Sequence, residues 1–411
     1  MLSPMRPPAR RLDDYRESAG NAALQQIRRL AEPLRGARIL HLNFSPFGTA
    51  MAELLARLVP LLWDVGLEAD WQVVSCPEPF KRAADEMYRG LSGKRVRWGP
   101  SLRETWKQYC EALADDAPRG YDFVVVHEPQ PLALAARLAA RGQLGRTRWI
   151  WHTHLDLRLV QPEVWDDVWR DLAVYDMIWL SSRAFAAPEM EKMPVVELPP
   201  GLDPLTARNA PLAPAEVHQT LARYGIDADR LLAVQVGPLD SVHDPLGALR
   251  AFQDAKVLRE DAQLVLMEPL GSAGGDVWER FEQMLRRVAG QPDVYVLAGV
   301  AEAGDQAVNA AQRAARVLLQ RAVPAGYPMT VLEAQWKGRP VIVGRGSMRD
   351  LILPGESGVV AEDQTAFAAG LVGLLGDPEL AARMGRAGHQ LVRERFLITR
   401  LLCDELRLLQ T

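Results

Sequence analysis

Short apolar runs alternate with helical patterns along almost the whole chain, and no other feature restricts the fold as strongly. Strands of a parallel sheet appear as uninterrupted apolar runs, because helices cover both faces of such a sheet. In the first half, strands are predicted at 38–44, 71–75, 123–127, 149–154, 177–181 and 195–198. In the second half, they are predicted at 231–236, 263–267, 294–297, 317–320, 341–344 and 358–361. The chain is therefore expected to belong to the α/β class.

Residues with a helical period fill the intervals between these runs. In the segment 51–62, leucines at positions 54, 55, 58 and 61 fall on one helical face, as in a helix that packs on a sheet. The same period predicts helices at 245–257, 276–288, 306–314, 330–337 and 365–375. Alternation of this kind is typical of doubly wound, Rossmann-like sheets.

The length of 411 residues predicts two domains, because it exceeds what one hydrophobic core ordinarily organises. Proline-containing turns interrupt the periodicity between residues 199 and 214. We predict an N-terminal Rossmann-like domain at 1–205 and a C-terminal Rossmann-like domain at 206–385. A C-terminal helix at 386–411 is predicted to pack back toward the first domain. Two doubly wound domains that face each other would form an interdomain cleft at the carboxyl ends of their strands.

Composition argues against several classes of function. The net charge of −4 gives no electrostatic attraction to nucleic acid or to an anionic membrane. No apolar stretch approaches the roughly 20 residues that span a bilayer, and residues 1–12 lack the apolar run of a secretory signal. The three cysteines are far apart and lack the spacing of a metal site or a disulfide framework. A cytoplasmic protein without nucleic acid or membrane partners is predicted.

Several segments resemble those of retaining glycosyltransferases with two facing Rossmann-like domains, the GT-B architecture. The resemblance is to the trehalose synthases, which transfer glucose from a nucleotide donor onto glucose. It covers the chain in order and spacing, at segments 12–17, 41–43, 127–131, 151–156, 199–205, 308–314 and 333–338. The resemblance implies a GT-B fold and a nucleotide-sugar or sugar in the interdomain cleft. It implies neither a metal nor a cofactor, and it is compatible with a homodimer.

On the acceptor side, the resemblance implies a role for the ends of two strands. His154 occupies the place of a family histidine near the donor sugar and the reacting centre, and Asp156 also matches the family pattern. His127 ends another predicted strand and is an acceptor-side candidate, although such a residue often only anchors a loop. Gly48 remains from the family's glycine-rich turn, whose other positions carry side chains here. An ordinary strand-to-helix turn is the alternative reading of Gly48.

On the donor side, the segment 324–333 resembles the family's nucleotide-sugar loop. Glu333 keeps the position of the glutamate that binds ribose, and Thr330 precedes it near the start of the predicted helix, where a phosphate can be held. Ala325 replaces the family's other glutamate, which holds hydroxyls of the donor sugar. Pro328 replaces a glycine of the turn and removes one backbone amide.

The family's two diphosphate-binding cations are also replaced. Aligning on Asp240 puts Pro238 at the position of the arginine and His243 at that of the lysine. A proline carries no charge, and a histidine near pH 7 is mostly neutral unless a phosphate favours its charged form. No lysine or arginine occurs between residues 237 and 247, which argues against a slipped alignment. Arg321 and Arg345 are nearby in sequence. They are interpreted either as substitutes for the lost cations or as solvated surface charges.

Four elements of the donor site are therefore changed together: the glycine-rich turn, the arginine, the lysine and the first glutamate. The scaffold motifs remain. This pattern predicts a degenerate glycosyltransferase, a pseudoenzyme with a binding, regulatory or scaffolding role and a protein partner. The alternative is an active retaining glucosyltransferase that moves glucose from a nucleotide-sugar to glucose or another small acceptor. A nucleotide-sugar epimerase or a phosphorylase on the same architecture is the third class.

Overall fold

The computed structural model describes residues 2–47, 49–240, 243–269, 277–299, 303–321, 327–344 and 351–411. The chain divides into two compact units. Unit 1 contains the chain up to Gly201 and the segment Ile398–Thr411, and unit 2 contains the described residues of 202–397 apart from Tyr327. The limits therefore fall after residues 201 and 397, whereas the sequence analysis placed them after residues 205 and 385.

The sheet of unit 1 has seven strands in the order β1-β3-β2-β4-β5-β6-β7. Its strands are β1 (Leu2–Met5), β2 (Arg38–Asn43), β3 (Glu68–Val74), β4 (Phe123–His127), β5 (Arg148–Thr153), β6 (Met177–Leu180) and β7 (Val195–Glu197). All neighbours are parallel except β1, which pairs with β3 in the antiparallel sense. The sequence analysis missed β1, because this edge strand has a proline and no apolar run.

Helices cover both faces of this sheet. They are α1 (Arg16–Ala19), α2 (Asn21–Ala31), α3 (Ala50–Asp64), α4 (Phe80–Leu91), α5 (Pro100–Asp115), α6 (Leu134–Ala140) and α7 (Pro162–Val168). Because side chains alternate along a strand, β4 contributes to two separate cores. Val124 and Val126 belong to the core that includes residues of α4 to α7, and Phe123 and Val125 belong to the core that includes residues of α2 and α3.

The sheet of unit 2 has six parallel strands in the order β10-β9-β8-β11-β12-β13. They are β8 (Leu231–Val236), β9 (Ala262–Glu268), β10 (Val294–Ala298), β11 (Val317–Gln320), β12 (Val341–Gly344) and β13 (Gly358–Ala361). The strand order reverses between β8 and β11, and ligands of doubly wound sheets bind beyond the carboxyl ends at such a point. The predicted α/β class with two parallel-sheet domains is confirmed.

Helices precede, separate and follow the strands of unit 2. They are α8 (Pro214–Ala222), α9 (Pro245–Lys256), α10 (Val277–Val288), α11 (Asp305–Ala314), α12 (Met329–Trp336), α13 (Gln364–Gly376) and α14 (Pro378–Arg395). In the part of the chain that the structure describes, no helix is long and apolar enough to cross a lipid bilayer.

The last helix, α15 (Ile398–Leu409), belongs to unit 1. Its buried leucines join the core formed by α2 and α3. The sequence analysis predicted one helix from residue 386, but α14 ends at Arg395 and α15 begins at Ile398. The break is held in place because Leu202 donates its N–H to Phe396 O at 2.6 Å and forms a β-bridge with Leu397.

Candidate functional site

Four histidines lie in one row across the sheet of unit 1. His41 Nδ1 lies 3.0 Å from His127 Nε2, and the ring centroids of His127 and His152 are 5.1 Å apart. His152 and His154 follow at 4.8 Å. The register of β4 against β5 places His127 opposite His152. The sequence analysis named His127 and His154 as site candidates. It did not name His41 and His152, because only strand pairing places them in the same row.

The row is electrically neutral near pH 7. Burial lowers the pKa of His41 to about 3 and that of His154 to about 4. Burial also lowers the pKa values of His127 and His152 well below the ordinary range, and the neighbouring imidazoles lower them further. These side chains can therefore donate and accept hydrogen bonds but do not supply positive charge.

His154 lies just beyond the end of β5, where its ring is held by one partner. Its Nδ1 forms a hydrogen bond with Oγ of Ser181, which is buried just after β6. With Nδ1 engaged in this way, Nε2 is the nitrogen that remains for a ligand such as a sugar hydroxyl. Sequence reasoning missed Ser181, because only the pairing of β5 with β6 brings it beside His154.

We expect Ser181→Ala to release the His154 ring, because the hydrogen bond to Nδ1 is lost. The imidazole ¹⁵N chemical shifts of His154, measured by NMR at neutral pH, should move toward those of a mixture of tautomers. Ser182→Ala is the matched control, since Ser182 accepts a hydrogen bond from the N–H of Ala184 instead. Unchanged His154 shifts in Ser181→Ala would show that Ser181 does not set the tautomer.

Asp156 is engaged close to its own position in the chain. Its carboxylate accepts hydrogen bonds from Arg158 Nε at 2.8 Å and from a terminal guanidinium nitrogen of Arg158 at 2.6 Å. Such bidentate pairs are strong and directional. Asp156 is buried, whereas the Arg158 side chain is 48% exposed. This pair orders the loop after β5, and the acceptor role assigned to Asp156 stays a prediction.

Glu128 has an unusual backbone and an unusual carboxyl group. Its φ of 68° lies in the left-handed region, where a residue other than glycine is strained by about 1–3 kcal/mol. Burial raises the pKa of its carboxyl group to about 7, although the N–H of Phe44 donates to it at 3.1 Å and acts in the opposite direction. Glu128 thus ties the end of β4 to the loop that follows β2. Gly48, farther along that loop, lies outside the described residues.

A second buried carboxyl group ends the histidine row. Glu405 of α15 lies with its Oε1 3.7 Å from His41 Nε2. Burial raises the pKa of Glu405 to about 8 while it lowers that of His41. The contact is therefore one between two neutral groups rather than an ion pair. The sequence signal was a glutamate on the apolar face of a terminal helix, and the sequence analysis did not use it.

In unit 2, Asp240 and His243, which follow β8, contact each other. His243 Nδ1 lies 2.7 Å from Asp240 Oδ1, and the backbone N–H of His243 donates to the same oxygen at 2.9 Å. Burial opposes ionisation of Asp240, but these hydrogen bonds outweigh it and lower its pKa to about 2. Gln235 Nε2 also donates to the His243 carbonyl at 2.8 Å. The structure brings Asp240 and His243 together, with Pro238 in the same loop.

Arg321 is one of the two arginines considered as replacement cations, and its side chain is engaged by Asp244 and Phe367. Its guanidinium donates to Asp244 Oδ2 at 2.8 and 3.1 Å and lies 4.6 Å from the centre of the Phe367 ring. Its side chain is only 14% exposed. Asp244 in turn caps the start of α9. Arg321 is therefore part of the packing of unit 2, and the other candidate, Arg345, lies outside the described residues, as does Ala325.

The nucleoside candidates lie on α12. Glu333 is 5% exposed; its Oε2 accepts from Gln312 Nε2 at 3.3 Å, and its Oε1 lies 3.8 Å from a guanidinium nitrogen of Arg208. Thr330 Oγ1 makes a long hydrogen bond of 3.4 Å with Gln320 Oε1. Pro328 occupies the N-cap position of α12, where its side chain forms no capping hydrogen bond.

Arg208 also lines a cavity of about 460 Å³ in unit 2. The other walls include Thr220, Tyr224, Pro269, Gly304 and Asp305. Glu333 therefore lies close to a concave surface. Among the described residues, no group of three or more His, Cys, Asp or Glu side chains is arranged to hold a metal ion.

Two family descriptions match the chain. Residues 41–187 match "Trehalose synthase, N-terminal domain" and residues 241–377 match "Glycosyl transferases group 1". A trehalose synthase of Rubrobacter xylanophilus is 33% identical over 99% of this chain and 98% of that protein. A trehalose synthase of Pyrococcus horikoshii is 31% identical over 95% of this chain and 94% of that protein.

Solved structures share the fold. An E. coli trehalose-6-phosphate protein bound with UDP-2-fluoro glucose has a TM-score of 0.71 at 14% identity, over 91% of this chain and 99% of that one. Sucrose-phosphate synthase from Thermosynechococcus elongatus has a TM-score of 0.67 at 16% identity, over 91% of this chain and 98% of that one. At such identities the likeness concerns the fold alone.

Proposed function

Since the chain belongs to the trehalose synthase family of glycosyltransferases, we propose that it is a member whose donor site is degenerate. It retains the nucleoside-binding half of that site and lacks the cations of the diphosphate-binding half. It acts as a binding, regulatory or scaffolding protein that takes up a nucleotide or nucleotide-sugar and transfers glucose slowly or not at all.

The loop after β8 carries this proposal. A bound nucleotide-sugar needs positive charge and hydrogen-bond donors beside its diphosphate. Negative charge develops there as the diphosphate leaves the sugar. Pro238 offers neither, and the His243 imidazole already contacts Asp240 at 2.7 Å. A phosphate in this loop would approach the carboxylate of Asp240, which repels it. The His243 imidazole is therefore directed at a carboxylate rather than at an anion.

Arg321 supports the same proposal. To reach a diphosphate, its guanidinium would have to leave Asp244 and the face of Phe367. A buried charge that loses its partner is costly, so the free energy gained at the phosphate would be offset by the loss at Asp244. Arg321 therefore does not replace the missing cations.

Glu333 supports retention of the nucleoside half. Its carboxylate is held by Gln312 and faces Arg208, which lines the 460 Å³ cavity. Such a cavity lies within the volume range of small-molecule sites. The E. coli structural neighbour is bound with UDP-2-fluoro glucose, and a nucleotide of this class is the ligand that we propose for unit 2.

The active retaining glucosyltransferase is the second candidate, and His154 favours it. The neutral ring, fixed by Ser181, is suited to bind a donor-sugar hydroxyl near a reacting centre. The relatives that match nearly the whole chain are named trehalose synthases. This candidate requires protonated His243 to supply the charge that the family's lysine provides.

Calorimetric titration with UDP-, ADP- and GDP-glucose, followed by an assay of glucose transfer to glucose, separates the candidates. Binding without turnover is the expected result, and Glu333→Gln should weaken that binding. Tight donor binding with sustained turnover would overturn the degenerate-site proposal in favour of the active enzyme. If neither these donors nor UDP, ADP or GDP binds in the same titration, the retained nucleoside half is absent and the proposal is wrong.

A further inference from the structure

Lys337 is a buried cation that the proposed function does not use. It follows α12 directly and is only 9% exposed. Its Nζ donates to Gln312 Oε1 at 2.7 Å, to Asn209 Oδ1 at 2.9 Å and to the Glu333 carbonyl at 3.3 Å. All three ammonium protons therefore have acceptors. Lysine is almost never buried without such partners, so these three acceptors compensate for its burial.

Lys337 determines which end of the Gln312 amide faces Glu333. An ammonium group has no acceptor, so it requires the amide oxygen on its side. The amide nitrogen then points the other way, and Nε2 lies 3.3 Å from Glu333 Oε2. Without the ammonium, the amide can turn and present its oxygen to the carboxylate, which is repulsive. The orientation of Gln312 is thus a consequence of Lys337.

The same cluster holds the chain segment 206–210. Asn309 Nδ2 donates to the carbonyls of Ala207 and Ala210 at 2.9 Å each. A terminal guanidinium nitrogen of Arg313 donates to the carbonyls of Asn209 and Ala210 at 3.0 Å each. Lys337 adds the side chain of Asn209. These side chains therefore fasten the segment to α11 and to the end of α12.

Arg208, within this segment, approaches the other oxygen of Glu333. It lies 3.8 Å from Oε1 and is held by Asp305 at 2.6 and 2.9 Å. Both carboxylate oxygens of Glu333 are thus oriented by groups connected to the segment 206–210. One connection runs through Gln312, Lys337 and Asn209, and the other through Arg208.

We propose that Lys337 is a positioning residue that, through Gln312, holds the Glu333 carboxylate in place for a ribose diol and couples it to the segment 206–210. The ribose part rests on the proposed function, since Glu333 meets a ribose only if a nucleotide binds. The coupling to the segment stands on the contacts of Lys337 alone.

The protonation state of Lys337 gives a supporting expectation. Burial lowers its pKa to about 7; the carboxylates of Glu333 and Asp305 oppose this, while Arg313 and Arg208 add to it. Above a pH of about 7 the ammonium loses one of its three donated protons. Discrimination in favour of ribose should therefore decrease as the pH rises through this value.

The test compares ribonucleotides with their 2′-deoxy counterparts. UDP, ADP and GDP are titrated into the full chain, and the best-bound nucleotide is repeated in its 2′-deoxy form. A hydrogen bond to a charged group corresponds to roughly a 10- to 100-fold preference, and we expect wild type to favour ribose by this amount. In Lys337→Met and Gln312→Met the preference should fall toward about one-fold.

Gln335→Met is the matched control. Gln335 is also buried on α12, but its side-chain amide donates to the Leu351 carbonyl at 2.7 Å. This control should keep the ribose preference. If Lys337→Met and Gln312→Met keep the wild-type preference too, Lys337 does not position Glu333, whereas the proposed function stands.

Hydrogen exchange tests the coupling without any ligand. The amides of Asn209 and Ala210 donate to the Thr206 carbonyl at 2.9 and 2.7 Å. They should exchange faster in Lys337→Met and at the wild-type rate in Gln335→Met. Equal rates in all three proteins would overturn the coupling. If wild type binds no nucleotide, the proposed function and the ribose part fail together, and faster exchange in Lys337→Met then still supports the coupling.

Discussion

Pro238→Arg and His243→Lys, combined with Ala325→Glu, should raise the affinity for a nucleotide-sugar by about two to four decades. Each charged hydrogen bond to a phosphate contributes roughly 1.5–3 kcal/mol, and about 1.4 kcal/mol corresponds to a tenfold change in affinity. Under the degenerate-site proposal, the two added cations account for the expected gain, and Ala325→Glu adds an acceptor for the donor-sugar hydroxyls. Calorimetric titration of wild type and variant with UDP-, ADP- and GDP-glucose measures the change.

The neutral triple variant Pro238→Gln, His243→Gln and Ala325→Gln is the control. It changes the same positions without adding charge, so it should bind donors about as weakly as wild type. Asp240 now contacts His243 at 2.7 Å and would also pair with the new lysine, so adding Asp240→Asn should increase the gain further. An affinity that stays at the wild-type level in both charged variants would mean that these residues do not face a diphosphate.

Glu405→Gln should stabilise unit 1 in alkaline solution and have little effect in acid. The pKa of Glu405 is raised from 4.5 to about 8 by burial, so the folded chain keeps a proton that the unfolded chain has lost. The contribution of Glu405 to stability is therefore fully present below pH 4.5, and it decreases as the pH rises from 4.5 toward 8. Each pKa unit is worth 1.36 kcal/mol, so the difference between variant and wild type near the upper end should be a few kcal/mol, by order of magnitude.

Urea unfolding followed by tryptophan fluorescence at several pH values tests this expectation. All of the 11 tryptophans except Trp278 and Trp336 belong to unit 1, so the signal reports mainly on that unit. The neutral histidines give the opposite slope, because the unfolded chain binds protons below pH 6.5 that the folded chain does not. They are present in both proteins, so their contribution largely cancels in the difference. A difference independent of pH, or one shared by the exposed control Glu17→Gln, would contradict the expectation.

Much of the fold could be predicted because its signals are local. The strands at 123–127, 231–236, 317–320 and 341–344 were predicted at their observed limits, since each is an apolar run between turns. The edge strand Leu2–Met5 could not be predicted, because its pairing with β3 alone makes it a strand. The break between α14 and α15 was missed for a similar reason, since it depends on contacts with Leu202.

Some residues of the candidate site could likewise be predicted from the sequence, and others could not. His127 and His154 were visible as polar residues ending apolar runs, and the trehalose synthase resemblance named their positions. Ser181, Lys337 and Glu405 were not found, because each acquires its role from a partner far away in the chain. The roles predicted for His154, Asp156 and Glu333 stay predictions for the experiments described above.

The order of residues along the chain was enough to identify the family, and it predicted a donor loop without the usual charged groups. Proline and alanine carry no charge in any fold, and the degenerate-site proposal rests on this property of Pro238 and Ala325. Which of the remaining groups have partners became visible only in the folded chain. The fold placed Arg321 against Asp244 and Phe367, and it buried Lys337, Glu405 and three of the four histidines. The physical reason is that a pKa and an ion pair depend on solvent and on neighbours, and packing brings both from distant parts of the chain.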